Sequence, residues 1–216
     1  MKTIIVILFA IIVVVLAVVA VRAQSRRKQS PAEVSRGLRN QALTLSPKDL
    51  GLSVAAHQPF AVIMDTAYPN AVASLMSTST GDASNYFSTG GGVIGGIGHE
   101  NVRKAAIEFV AEAAKHSARM APTSEFPYPA PGNVRFYLRT PETVLVAEAP
   151  EAELGSRSHP LSPFFFAGQN VIAQLRQSTE SQKQCYPRFR WMRRAAVLWL
   201  GPEDSTPARR SLLAAR

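Results

Sequence analysis

The sequence predicts an α+β domain of about five antiparallel strands and two packing helices, preceded by a single apolar helix. Three patterns lead to this fold class: an uninterrupted apolar run at residues 4–21, five short strand-like runs between residues 60 and 149, and two segments with helical apolar periodicity. The expected order after the first helix is β-β-β-α-β-β-α. The 216 residues therefore divide into an anchor (1–23), a basic linker (24–42), the domain (43–177) and a basic tail (178–216).

The apolar run is long enough to cross a bilayer. Residues 4–21 comprise fifteen Ile, Leu, Val or Phe side chains and three alanines, and as a helix they would span ~27 Å. We therefore expect a single-pass transmembrane anchor. A cleaved signal peptide is the alternative, because Val21 and Ala23 offer small side chains at a cleavage position, but the run exceeds the usual ~7–15 residues of a signal core.

Positive charge is concentrated at both ends of the chain. The net charge is +9: Lys2 carries +1, residues 22–49 and 178–216 each carry +5, and residues 50–177 carry −2. The basic cluster that follows the apolar run predicts that the domain is cytoplasmic, with a secreted or periplasmic location as the alternative if the leader is cleaved. Cys185 is the only cysteine, which excludes an intrachain disulfide and a cysteine-based zinc cluster. No cofactor or metal site is predicted.

Five strand-like runs and two amphipathic helices make up the domain. The strands are expected at residues 60–66, 71–78, 83–89, 134–139 and 144–149, and the short connections between the first three predict an antiparallel meander. Residues 99–120 form the clearest helix, and a second helix opens at Ser162 and Pro163. Two sets of side chains are expected to face the core, one per helix: Val102, Ala105, Ala106, Phe109, Val110 and Ala113; and Phe164, Phe165, Gly168, Val171, Ile172 and Leu175.

A glycine-rich loop at residues 90–98 links the third strand to the central helix. Gly90, Gly92 and Gly95 match G-x-G-x-x-G, a pattern that lets a backbone approach a phosphate beside a helix N-terminus. Ser88 and Thr89 precede these glycines and could add hydroxyl ligands. The helix, however, opens after Gly98, outside the motif, and neither an acidic residue ~20 positions later nor the Lys-Ser/Thr of a P-loop is present. A structural role, in which the glycines supply positive φ and close packing, is the alternative interpretation.

Acid–base chemistry has only weak candidates. His99 and Glu100 are adjacent at the start of the central helix, and Asp65 and His159 lie elsewhere in the chain. The favoured interpretation is a capping or first-turn role for His99 and a loop role before Pro160 for His159. The sequence contains no nucleophile motif, so enzymatic activity is not the favoured interpretation.

Two longer stretches are similar to a known signature. Residues 86–103 read YFSTGGGVIGGIGHENVR and residues 159–176 read HPLSPFFFAGQNVIAQLR. Together with residues 43–47 and 134–137, they resemble a family of uncharacterised bacterial proteins. The resemblance covers residues 43–177 and implies the limits of the domain and a bacterial source, but no activity.

The tail interleaves arginines with aromatic residues over residues 186–194. Such a segment can bind single-stranded nucleic acid or lie in an anionic membrane interface, or it can be a solvated extension. We expect the whole chain to be a membrane-tethered, non-catalytic domain whose partners are the bilayer and another protein. The alternatives are a small enzyme or a nucleotide- or phosphate-binding domain that uses the glycine loop, and a protein whose basic tail binds nucleic acid.

Overall fold

The computed structural model describes residues 29–185 of the chain, with side chains as far as residue 180. Four α-helices and seven β-strands lie in this part. The helices are α1 (Pro31–Thr44), α2 (Glu100–His116), α3 (Glu151–Gly155) and α4 (Ser162–Cys185). The strands are β1 (Ala61–Ala67), β2 (Val72–Thr78), β3 (Ala83–Phe87), β4 (Gly92–Val93), β5 (Ala121–Thr123), β6 (Asn133–Arg139) and β7 (Val144–Pro150).

The strands form one antiparallel sheet in the order β4-β3-β2-β1-β6-β7-β5. The α+β class and the antiparallel meander of β1, β2 and β3 are therefore confirmed. The predicted count of five strands was too low, because two short strands close the sheet at its edges. β4 comes from the glycine loop and pairs with β3, and β5 pairs with β7. β5 contains Pro122, which an edge strand tolerates because one side of it needs no ladder hydrogen bonds.

Helices α2 and α4 cover one face of the sheet, as the periodicity predicted. Every residue of the two predicted inner stripes is buried, and both stripes pack on Val62, Met64 and Phe136 of the central strands. Phe164 lies at the centre of this core, with its ring centroid 4.4 Å from that of Phe136 and 5.1 Å from that of Phe109. The apolar stripes thus position α2 and α4 through the burial of large side chains.

The opposite face of the sheet is covered by α1, where the sequence predicted a linker. Four residues of α1 are buried, Ser35, Arg39, Ala42 and Leu43, with the spacing of one helix face. Two of the four are polar, so the apolar periodicity on which the prediction relied is broken in this helix. The sheet therefore has helices on both faces.

The start of α1 carries a local signal that the periodicity did not show. Ser30 and Glu33 form a capping box around Pro31: the Ser30 N–H donates to the Glu33 carboxylate at 2.7 Å, and the Glu33 N–H donates to the Ser30 hydroxyl at 3.2 Å. The Ser30 hydrogen bonds lower the pKa of Glu33. This capping sets the first turn of α1 beside the glycine loop.

Two predictions fall partly or wholly outside residues 29–185. The compact unit that contains the sheet ends at Ser178, and α4 continues to Cys185, into the segment predicted as tail. The anchor at residues 1–23 and the tail beyond residue 185 lie outside the described residues. Within residues 29–185, no helix combines the length and the apolar character needed to cross a membrane.

Candidate functional site

The glycine loop turns back on the sheet immediately after β3 and packs against α1. Gly90 adopts φ +105°, and a Cβ placed there would lie 2.4 Å from the Pro31 Cβ. Gly92 adopts φ +150°, and its Cβ would lie 2.2 Å from the Asn85 carbonyl oxygen. No other residue fits these contacts. Packing and strand pairing therefore explain two of the three glycines in the G-x-G-x-x-G match.

The hydroxyl residues that precede the glycines differ in their roles. The Ser88 hydroxyl accepts a hydrogen bond from the Val72 N–H at 2.8 Å, and the Ser88 N–H donates to the Val72 carbonyl at 2.9 Å. Ser88 thereby extends the pairing of β2 with β3 beyond the end of the ladder. Thr89 is exposed at the tip of the turn. Gly95 adopts φ +78° in open space, and its N–H donates to the Ser84 hydroxyl at 3.3 Å.

His99 and Glu100 lie at the start of α2, where the sequence placed them. His99 is the N-cap residue, and its side chain makes no capping hydrogen bond. The Glu100 carboxylate accepts two hydrogen bonds from Arg103, each 2.9 Å long. These bonds, with the charge of Arg103, hold the pKa of Glu100 below its ordinary value. An acidic side chain thus occupies the helix terminus at which a phosphate would have to bind.

The structure separates the other two candidates for acid–base chemistry. Asp65 lies in β1 and faces α1, whereas His159 precedes α4 on the opposite face of the sheet, where its Nδ1 accepts a hydrogen bond from the Leu161 N–H at 3.1 Å. The catalytic interpretation of His99 and Glu100 gains no second acid or base from either of them. Among the residues that the structure describes, no three His, Cys, Asp or Glu side chains are grouped closely enough to hold a metal ion.

An apolar groove lies between the glycine loop and α1. We call it the glycine-loop groove; it has a volume of about 330 Å³. None of its lining residues is charged: Gln29, Pro31, Val34, Ser35, Leu38, Tyr86, Gly91, Gly92 and Ile94. The Ile94 side chain is 65% exposed and the Val34 side chain 43% exposed. Large aliphatic side chains are thus presented to solvent on both walls of one groove, a feature that is typical of interaction sites.

A buried ion pair fixes the α1 wall of the groove to the sheet. Arg39 of α1 donates to the Asp65 carboxylate from Nε at 2.9 Å and from Nη2 at 2.6 Å, and the Ser74 hydroxyl donates to the other carboxylate oxygen. The Arg39 side chain is 4% exposed and the Asp65 side chain is fully buried. Burial raises the pKa of Asp65, and these donors counteract the rise.

The remaining contacts of Arg39 extend to the loop before β6. Its Nη1 donates to the Phe126 carbonyl at 3.0 Å, and its guanidinium carbon lies 4.2 Å from the centroid of the Tyr128 ring. Two edges of the guanidinium are therefore hydrogen-bonded, and one face is stacked on an aromatic ring. Sequence reasoning missed this cluster, although Asp65 gave a signal, because an acid inside a fully buried strand requires a cationic or donor partner.

In the comparisons with known proteins, no family model, no curated protein and no solved structure matches this chain.

Proposed function

We propose that this protein is a membrane-tethered, non-catalytic domain that binds an apolar segment of a membrane-associated protein in the glycine-loop groove. The observation that carries the proposal is the uncharged groove with exposed Val34 and Ile94 on its two walls. Completely burying a fully exposed aliphatic side chain contributes roughly 1.5–3 kcal/mol, and Ile94 and Val34, at 65% and 43% exposure, can still gain part of this on contact with a partner. Two such side chains on facing walls would therefore favour an aliphatic or aromatic insertion over a charged ligand.

The position of the groove in the chain favours a partner at the bilayer. Gln29 lines the groove, and only residues 22–28 separate it from the end of the apolar run. Seven residues span at most ~25 Å. If residues 4–21 cross the membrane, the groove is confined to that distance from the bilayer surface, where membrane proteins and their proximal segments are its most concentrated partners.

The glycine loop supports binding of a protein segment better than binding of a phosphate. Gly90 and Gly92 are explained by their packing on α1 and β3, and Glu100 places a carboxylate at the start of α2. A phosphate-binding loop would instead present free backbone N–H groups and cationic side chains. The phosphate and enzyme alternatives would regain support from a saturable, nucleotide-dependent rise in Tm of the full chain that is lost in Gly95→Ala.

Site-specific photocrosslinking in cells tests the proposed groove. A photoreactive amino acid is placed at Ile94 or Val34 of the full chain, and at Lys104, an exposed position on α2, as the control. We expect one discrete adduct with a membrane-fraction protein from both groove positions and none from position 104. The adduct formed from position 34 should disappear when Ile94→Asp is added.

Three outcomes would contradict the proposal. An adduct only with residues 4–21 of the same chain would make the groove an internal docking site. An adduct only with lipid would make it a membrane-contact surface, and an adduct that survives Ile94→Asp would show that the aliphatic wall is irrelevant. Tethering is tested separately by fractionation: recovery of the chain with its start methionine in the supernatant after ultracentrifugation would contradict an anchor.

A further inference from the structure

A second cavity, separate from the glycine-loop groove, lies where the chain passes from α3 into α4. Its volume is about 390 Å³, which is within the ~300–1,000 Å³ range of small-molecule sites. Six residues line it: Arg157, His159, Pro160, Ser162, Pro163 and Phe166. None of these residues is acidic. They include a cationic side chain (Arg157), a hydroxyl (Ser162), an imidazole (His159) and an aromatic ring (Phe166). We call it the α4 cavity.

Ser162 is a buried hydroxyl without a hydrogen-bond partner in the described part of the chain. The residue is only 3% exposed, and its Oγ makes no hydrogen bond. A buried hydroxyl left unpaired is destabilising. Ser162 is the first residue of α4, and its side chain makes no capping bond, so helix capping does not account for this hydroxyl. The fold therefore leaves the hydrogen-bonding capacity of this hydroxyl unused.

His159 is held so that it offers a donor. Its Nδ1 accepts the Leu161 N–H at 3.1 Å, and its carbonyl accepts the Ser162 N–H at 2.9 Å. Since Nδ1 is an acceptor, the proton of the neutral imidazole is on Nε2, which makes Nε2 a donor. The Phe165 N–H is already bonded to the Leu161 carbonyl and is not available to a ligand. The main contribution of α4 to the cavity is therefore the positive end of its helix dipole.

Arg157 has an unusual backbone and a guanidinium that pairs with no described carboxylate. Its φ is +62°, the one positive value at a non-glycine residue within residues 29–185. Its guanidinium carbon lies 4.7 Å from the centroid of the Phe166 ring. Strained backbone in a non-glycine residue is concentrated at ligand sites, because the surrounding structure must hold it there. Stacking on Phe166 pre-orients the guanidinium at the edge of the cavity.

We propose that the α4 cavity binds a small organic anion, with its carboxylate or phosphate held by Arg157 and His159 Nε2, and with the Ser162 hydroxyl turning from its buried position to donate to the same anion. Each of these groups is a donor, the dipole of α4 adds positive potential, and no acidic residue in the lining opposes an anion. Phe166, Pro160 and Pro163 form the apolar wall that receives the body of the ligand. Binding satisfies the buried Ser162 hydroxyl, which the fold alone leaves unpaired.

Calorimetric titration of the full chain in detergent micelles tests the assignment. The probes are benzoate and phenyl phosphate, with inorganic phosphate to separate recognition of the anion from stacking, and benzyl alcohol as the neutral match. We expect saturable binding of at least one aromatic anion at millimolar or lower concentration. Arg157→Gly keeps the left-handed backbone accessible while it removes the guanidinium, and it should weaken binding by ~10-fold or more.

Ser162→Ala separates a ligand-binding role from a structural one. If the hydroxyl serves only the ligand, the alanine variant should have an equal or higher Tm and a weaker affinity for the anion. A lower Tm with unchanged affinity would show that the hydroxyl serves the fold. Arg36→Gln, which removes an exposed arginine on α1, is the control and should leave the affinity unchanged.

The proposal is overturned by any of four results. These are the absence of saturable binding for every anion up to ~10 mM, equal binding of benzyl alcohol, unchanged affinity in Arg157→Gly, and equal loss of affinity in Arg36→Gln. The last result would show that the anions respond to net charge and not to this cavity.

Discussion

Removing the Asp65 carboxylate should detach α1 from the sheet and unfold the glycine-loop groove with it. If α1 of Asp65→Val stayed docked, the Arg39 guanidinium, 4% exposed in the parent chain, would keep the Phe126 carbonyl as a hydrogen-bond partner and the Tyr128 and Tyr137 rings as contacts, but no carboxylate. Breaking a buried ion pair by removing one partner costs about 3–5 kcal/mol. Since a domain has a free energy of unfolding of only ~5–15 kcal/mol, we expect a loss of about a fifth or more of the total stability.

A double-mutant cycle isolates the ion pair from the packing around it. Replacing both partners, as in Arg39→Met with Asp65→Val, removes the unpaired charge along with the pair, so the double variant should recover much of the stability lost in Asp65→Val. The control is Lys115→Ala, which breaks an exposed ion pair between residues one turn apart on α2. It should change the free energy of unfolding by no more than ~0.5 kcal/mol.

Two measurements check this prediction on the full chain in mild detergent. Urea unfolding followed by circular dichroism gives the change in free energy, and amide hydrogen exchange reports whether α1 opens ahead of the sheet. We expect faster exchange in α1 of Asp65→Val and near-normal exchange in the core strand β6. A free energy of unfolding within ~1 kcal/mol of the parent chain would refute the reasoning, because a buried guanidinium without a carboxylate should destabilise the chain by more than this.

Three further outcomes follow from the same structure. Gly92→Ala should destabilise the chain by about 1–3 kcal/mol more than Gly91→Ala. The reason is that a Cβ at Gly92 would lie 2.2 Å from the Asn85 carbonyl oxygen of β3, whereas a Cβ at Gly91 would face open space. Equal urea midpoints for the two variants would contradict the packing role of the loop. Phe164→Ala should cost ~3–5 kcal/mol, because a fully buried ring is removed from the core, and a smaller loss would show that the core collapses around the cavity. The hydrogen bond from Lys115 lowers the pKa of Glu112, so the stability contributed by Glu112 should be complete above pH ~4.5 and lost as the pH falls through its lowered folded-state pKa. A carboxyl NMR titration with a midpoint below 4.5 that rises in Lys115→Ala is the expected result.

Local pattern was sufficient for the elements that face one core. The stripe that includes Phe109 on α2 and the stripe that includes Phe164 on α4 could be predicted because each inward position is apolar or small, and burial on a helix repeats every three or four residues. The five longer strands were found for the same reason, from short apolar runs between turn residues. The α+β class follows from these elements alone.

The tertiary structure decided everything that depends on partners far apart in the chain. The buried face of α1 includes Arg39, and this charge can be buried because Asp65, 26 positions away in β1, neutralises it. The short strands β4 and β5 exist because neighbouring strands offer them hydrogen bonds, not because of their own side chains. The α4 cavity, by contrast, joins residues close in the chain, Arg157, Ser162 and Phe166, and it depends on the turn between α3 and α4. A linear pattern records which side chains prefer to be buried, but it does not record which distant group neutralises a buried charge. The pairing of Arg39 with Asp65 is what holds the α1 wall of the groove on the sheet.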